Sequence, residues 1–293
     1  MLNAFLKQNK ISKPLIADGA MGTLLLNKGI SLENNLTKLN LTNSDLITSI
    51  HKEYVEAGAD IIYTHTFLAN YLSLKSFSEE TLVKGINVQA VTNAQKAANK
   101  TTLIAGNLGG IYTASHLQKP TPQAIMNAYE QQAQILIQAG ADLIIVETLS
   151  NLEELKAALQ LQTLTQKHNK PLFISITPQN NGNLLDNTKL DTWLSLVTQN
   201  KPQAIGLNCF YNPKKLAPLA THIHKQTNSP LLLKLNAGNP IKKQGLWTYP
   251  VLPKEFCNVF QNLLETPLIA IGGCCGTTPK YIKALAEMKL NET

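Results

Sequence analysis

Apolar residues along this chain gather in eight short runs, each followed by a longer stretch with helical spacing. The runs cover 15–20, 59–67, 102–109, 142–149, 172–177, 204–209, 231–238 and 268–273. The stretches between them predict helices over 44–57, 78–99, 121–139, 152–168, 188–199, 213–227, 252–265 and 279–289. In the first of these, Leu46, Ile47, Ile50 and Tyr54 fall on one face. Thr121-Pro122, Asn212-Pro213 and Thr278-Pro279 each set a capping residue before a first-turn proline. Asn151 with Glu154 has the spacing of a capping box, and 180–182 predicts a turn.

Strands that read as continuous apolar runs are strands covered on both faces. Eight of them alternating strictly with helices imply parallel pairing through right-handed crossovers. The expected fold is therefore α/β, a single closed (β/α)8 TIM-type barrel, with residues 1–293 forming one domain. No internal repeat, low-complexity tract or linker breaks the pattern.

Composition narrows the class. Hydrophobic residues make up 44% of 293 positions, ample for a sizeable core. No run approaches the roughly 18 consecutive apolar residues of a membrane span. Residues 1–10 lack the apolar stretch and cleavage pattern of a secretory signal. Four cysteines without paired spacing do not read as a disulfide framework. A reducing, cytoplasmic setting is the expectation.

The net charge of +7 raises the question of nucleic acid. The lysines are scattered, however, as at Lys7, Lys10, Lys13, Lys75, Lys84 and Lys96, without interleaved aromatic residues. Neither nucleic acid nor a membrane is expected as a partner. All 26 basic residues are lysine. An anionic group would have to be held by backbone amides, helix N-termini or lysine, never by a guanidinium fork.

In barrels of this kind chemistry sits at the C-terminal ends of the strands. Those ends carry Asp18-Gly19-Ala20-Met21-Gly22-Thr23, Thr64-His65-Thr66-Phe67, Gly106-Asn107-Leu108-Gly109, Glu147-Thr148, Asn208-Cys209, Asn236-Ala237-Gly238 and Gly272-Gly273-Cys274-Cys275-Gly276. The opposite ends are bland, an asymmetry that argues for an enzyme. Adjacent cysteines make a poor structural disulfide. Together with Cys209, Cys274 and Cys275 suit one soft metal, zinc, with the fourth tetrahedral position open to a reactant. The competing reading, thiols as small core residues, fits Cys257 better, since Phe256 and Phe260 flank it in a predicted helix. A thiol substrate entering the open position would lose its proton and become a sulfur nucleophile at neutral pH, ready for an electrophilic methyl group.

Other residues admit two readings each. Glu147 ends an apolar strand, where a carboxylate needs a partner; that partner is a structural donor or a substrate ammonium. Asp18 belongs to a turn or to a substrate site whose glycines offer backbone amides. His65 is a packed residue or a supporting partner, and His222 and His224 read as surface. Lys234, inside a predicted strand, is a Schiff-base lysine, half of an internal ion pair, or an outward-pointing residue.

Taken together, these motifs resemble the homocysteine S-methyltransferase family, whose zinc-dependent barrel also forms the N-terminal domain of cobalamin-dependent methionine synthase. The resemblance runs from Asp18-Gly19-Ala20-Met21-Gly22-Thr23 through Ala57-Gly58-Ala59-Asp60-Ile61-Ile62 and Glu147-Thr148 to Gly272-Gly273-Cys274-Cys275-Gly276-Thr277-Thr278-Pro279. It implies Cys209, Cys274 and Cys275 as zinc ligands, Asp18 and Glu147 as homocysteine contacts, and Gly19, Ala20, Thr66 and Asn208 as pocket lining. The stretch 40–67 looks closer to methionine synthase than to the S-methylmethionine enzymes. Three departures fall on the donor side: the family's Thr-Asn-Thr-Phe is Thr64-His65-Thr66-Phe67, its Gly-Pro is Gly109-Gly110, and its Pro-Asn-Ala-Gly is Leu235-Asn236-Ala237-Gly238.

The expected reaction is transfer of a methyl group to the thiolate of homocysteine, giving methionine. S-methylmethionine or betaine would suit a stand-alone barrel, whereas methylcobalamin would need a separate corrinoid protein. The rivals are a homocysteine-binding subunit of a split methionine synthase, a Schiff-base aldolase built on Lys234, and a non-catalytic zinc-binding barrel.

Overall fold

The computed structural model describes residues 14–31, 35–111, 118–243, 246–261, 263 and 266–290. Residues 1–10, with the sequence expectation placed on them, and part of the end of the helix expected over 252–265 lie outside these.

Eight parallel strands form the barrel: β1 (Leu15–Ile16), β2 (Ile61–Tyr63), β3 (Leu103–Leu108), β4 (Leu143–Leu149), β5 (Leu172–Ile176), β6 (Ala204–Asn208), β7 (Leu231–Leu235) and β10 (Leu268–Gly273). Their order around the sheet is β1-β10-β7-β6-β5-β4-β3-β2. An Ala17–Ile61 bridge joins β1 to β2 and closes the ring. Side chains complete this seam, because the short edges leave ladder donors over: the Ile16 amide donates to Asp60 Oδ2 (2.8 Å) and the Tyr63 amide to Asp18 Oδ2 (2.7 Å). The predicted barrel is thus the one observed.

The helices are α1 (Met21–Asn27), α2 (Leu39–Thr42), α3 (Ser44–Glu56), α4 (Tyr71–Lys75), α5 (Val83–Ala97), α6 (Pro122–Ala139), α7 (Leu152–Lys167), α8 (Leu190–Asn200), α9 (Pro213–Thr227), α10 (Pro253–Gln261) and α11 (Pro279–Leu290). Three of the predicted starts are capped as expected. Thr121 Oγ1 accepts from the Ala124 amide (3.2 Å), Asn151 Oδ1 from Glu154 (3.0 Å) and Asn212 Oδ1 from Lys215 (3.2 Å). The capping box is modified, since the Glu154 carboxylate accepts from the Ile111 amide at 3.1 Å. Helices α1, α2 and α4 and a hairpin of β8 (Ile241–Lys243) and β9 (Leu246–Thr248) were not expected. Each is too short for its apolar spacing to repeat.

Two apolar layers result. Leu15, Ala17, Ile61, Tyr63, Leu103, Ala105, Leu143, Ile145, Phe173, Ala204, Leu232 and Ile269 cluster inside the barrel. A larger shell packs helices on the outside, with Trp193, Phe256, Cys257 and Phe260 in it. Cys257 is therefore a packing residue. Because strand side chains alternate, each inward row continues to the barrel mouth: Ala105 leads to Asn107, Ile145 to Glu147, Phe173 to Ser175 and Leu232 to Lys234.

Trp193 of α8 is fully buried, its Nε1 donating to the Gly182 carbonyl at 2.9 Å. Truncation would leave a cavity and an unmade hydrogen bond. Trp193→Ala is expected to cost about 3–5 kcal/mol in denaturant unfolding, with the far-ultraviolet spectrum of the folded protein unchanged.

Candidate active site

A cavity of about 570 Å³ opens at the C-terminal ends of the strands. Asp18, Gly19, Ala20, Thr66, Glu147, Cys209, Cys274 and Cys275 all line it, as do Lys234, Tyr63, Asn107, Leu36, Phe67 and Phe77.

The three cysteines converge. Their Sγ atoms lie within 4.8 Å of one another, with Cys209 3.1 Å from Cys274 and 3.5 Å from Cys275. Strand β7 stands between β6 and β10 in the sheet, and two local devices turn the thiols together across it. Cys209 takes φ +51°, a left-handed conformation that bends the chain at the end of β6. At the end of β10, the Cys274 amide donates to Leu235 O (2.7 Å) and the Cys275 carbonyl accepts from Ala237 (2.9 Å). Gly276 follows with φ +84° under the ring of Tyr249, where any side chain would collide.

Without a counter-charge the sulfurs compete for protons. Hydrogen bonds from Cys209 and Cys274 hold Cys275 low, whereas donating towards Cys274 and Cys275 pushes Cys209 up. Tyr249 also hydrogen-bonds Cys275. A tetrahedral zinc site with sulfur at about 2.3 Å has sulfur–sulfur edges of about 3.8 Å, close to what the cluster presents. Asn236, next to Ala237, carries a buried Oδ1 without a partner among the described residues. The donor set and its spacing fit zinc.

Glu147 is buried at the mouth of β4, where the β4–β5 register shifts and Thr148 takes φ +63°. Asn107 Nδ2 donates to its Oε1 at 2.9 Å. Burial lifts its carboxyl to about 7, with Lys234 pulling it back. Asp18 is differently placed: Oδ2 serves the barrel seam, and Oδ1 accepts from Lys234 Nζ at 2.6 Å. Burial pushes Asp18 upward against the pull of Lys234. The Lys234 ammonium also sits 3.6 Å above the Tyr63 ring. Burial alone would lower it, but Asp18 and Glu147 raise it above the usual lysine range. Of the three readings of Lys234, the internal ion pair is the one observed.

The remaining expectations divide. Asn208 does not line the cavity; its Oδ1 accepts from Thr148 N (2.9 Å) and Ser175 Oγ (2.8 Å), bracing the backbone beside Glu147 and Cys209. Thr66 donates to Asn107 O at 2.6 Å and so supports the Glu147 partner. His65 Nε2 meets Leu36 O at 2.9 Å, and burial lowers it to about 4, so the neutral ring donates there and ties the loop after β1 to β2. His222 is part exposed, and His224 Nδ1 bonds Ser229 O at 2.9 Å. Sequence reasoning missed Tyr63, Asn107, Tyr249 and Thr277. Thr277 Oγ1 accepts from the Ala20 amide (3.1 Å) and donates to Cys274 O (2.7 Å), coupling β1 to the thiol loop. Asn107 had a signal, being a polar residue at a strand end; the other three gain their roles only through contacts across the barrel.

The fold and site define a (β/α)8 barrel with a three-thiol centre beside a buried carboxylate and ammonium. The model of the homocysteine S-methyltransferase family matches residues 15–289, and the chain belongs to that family. It is 29% identical over 290 residues to methionine synthase from Mycobacterium leprae (93% of this chain, 24% of that protein) and 30% identical over 294 residues to methionine synthase from Mycobacterium tuberculosis (94% and 25%). The chain thus spans about a quarter of the length of these relatives. Among solved structures it is similar to the homocysteine methyltransferase MmuM from Escherichia coli. The metallated form superposes with TM-score 0.79 at 25% identity and the oxidised form with 0.81 at 27%, each covering 98% of this chain and 99% of the other.

The raised Glu147 carboxyl has a consequence for stability. A folded-state value near 7 against 4.5 unfolded means that the folded chain holds the proton more tightly. The stabilisation is complete below pH 4.5 and is lost as pH rises through 7, by about 3 kcal/mol. In metal-free, ligand-free protein, Glu147→Gln should unfold at higher denaturant than the parent at pH 8, and the difference should vanish at pH 4.5.

Proposed function

We infer that this chain transfers a methyl group to the sulfur of homocysteine, releasing methionine. The observation that carries the reading is the convergence of Cys209, Cys274 and Cys275 at the mouth of a barrel of this family. Zinc held by these three residues would keep the homocysteine thiol ionised at neutral pH. Glu147, fixed by Asn107 and with its carboxyl raised to about 7 by burial, gives up its proton to take the substrate ammonium. Asp18 acts at one remove, through Lys234. Leu36, Phe67, Leu68 and Phe77 line the same cavity, and their apolar side chains would keep water from the reacting sulfur. Near-linear placement of sulfur, methyl and leaving group supplies much of the rate. The free thiols suit a reducing, cytoplasmic setting, and no helix among the described residues is long and apolar enough to cross a membrane.

The similarity to one quarter of methionine synthase supports a second form of the same reading, in which the barrel receives its methyl group from a separate corrinoid protein. A Schiff-base aldolase is disfavoured, because Lys234 is paired with Asp18 and kept protonated, so its amine is not free to attack a carbonyl.

Protein purified anaerobically with reductant is expected to hold about one zinc per chain and to form methionine from homocysteine with one of S-methylmethionine, betaine or methylcobalamin. Cys209→Ser should lose most of the metal and at least about 100-fold in rate. Full zinc and full methionine formation in that variant would defeat the mechanism.

A further inference from the structure

Among the described residues lining the cavity, Lys234 is the lone cationic side chain, and it is only 4% exposed. It continues the inward row of β7 above Leu232, level with Asn208 of β6 and Gly272 of β10. It therefore stands between the two strand ends that bring the thiols. Its ammonium has three hydrogens. One goes to Asp18 Oδ1 at 2.6 Å, and the Tyr63 ring covers another side at 3.6 Å. Among the described residues no second oxygen accepts from it. A buried ammonium left with an unused donor is costly unless something entering the cavity accepts from it.

The surroundings say what that is. Glu147 lines the same cavity and presents a carboxylate. The site thus offers one anion and one cation beside a sulfur-binding cluster, the complement of an α-amino acid whose side chain ends in a thiol. No arginine exists in the chain to compete for the carboxylate. The Ala20 amide, one of the backbone donors near β1, is already committed to Thr277 Oγ1. Asp18 is committed to Lys234 and to the barrel seam.

We propose that Lys234 binds the α-carboxylate of the acceptor, while Glu147 binds its ammonium. The assignment rests on homocysteine being the acceptor. Asp18 is then the residue that orients Lys234 and not an ammonium site, and recognition of the amino-acid end is divided between strands β4 and β7.

Calorimetric titration of the zinc-loaded protein needs no methyl donor and tests this directly. Homocysteine is compared with 3-aminopropanethiol, which lacks the carboxylate, and with 4-sulfanylbutanoate, which lacks the ammonium. The parent should bind 3-aminopropanethiol about 10- to 100-fold more weakly than homocysteine. In Lys234→Met that penalty should collapse, while the penalty for 4-sulfanylbutanoate persists. Because Lys234→Met strands a buried carboxylate, the paired replacement Asp18→Asn with Lys234→Met removes both charges and should show the same collapse. Either variant keeping the parent's full discrimination against the carboxylate-free thiol overturns the assignment, as does a parent that shows none. A zinc-loaded parent that binds no thiol at all overturns the functional reading as well; homocysteine binding without carboxylate discrimination overturns only the role of Lys234.

Discussion

Everything at the site depends on a barrel whose strands all run the same way and whose ring is closed. Parallel order brings every C-terminal strand end to one mouth, and closure sets the spacing between ends that are not neighbours. Cys209 leaves β6 and Cys274 leaves β10, with β7 between them. Their sulfurs still meet at 3.1 Å, because the left-handed turn at Cys209 and the tight bend at Gly276 aim the thiols across β7. The closing seam is itself part of the site. Asp18 satisfies the Tyr63 amide with one oxygen and Lys234 with the other, so the joint of the barrel and the charge balance of the cavity share one carboxylate.

That sharing explains how ionic groups persist in so dry a place. A buried carboxylate or ammonium alone would shift its pKa until it was neutral. Here Asp18, Lys234, Glu147 and the thiols compensate one another, and the Tyr63 ring adds its negative face beneath the ammonium. Around them lies a layer of neutral hydrogen bonds. Asn107 fixes Glu147, Thr66 fixes Asn107, and Asn208 braces Thr148, leaving the charged atoms little freedom to reorganise. Left-handed backbone at Thr148 and Cys209 sits beside the buried Glu147 and in the thiol cluster, and the Asn208 hydrogen bonds brace Thr148 there.

Much of this was legible in the chain. Eight apolar runs matched eight barrel strands, the caps at Thr121, Asn151 and Asn212 formed, and the double cysteine with Cys209 pointed to one cluster. The pieces that escaped notice are short or remote. A three-residue hairpin arm carries no periodicity, and Tyr249 matters only because the chain folds back over Gly276. Asn208 was expected in the pocket wall because the family resemblance implied it there. Its neighbours on β4 and β5 draw its amide to the backbone instead.

The sequence by itself determined the strand count, the parallel arrangement and the ends at which chemistry collects, because hydrophobic periodicity and capping are local properties of a chain. It also determined the thiol donor set, since side-chain chemistry does not change on folding. Which way Lys234 points was decided only by the tertiary structure. In a strand reading Leu-Leu-Leu-Lys-Leu both faces are apolar, so no alternation marks the inside, and a shift of one residue would exchange the faces. Register against β6 and β10 sets that parity, and with it the pairing with Asp18. Charge compensation between residues 216 positions apart is a property of the closed ring and of nothing shorter.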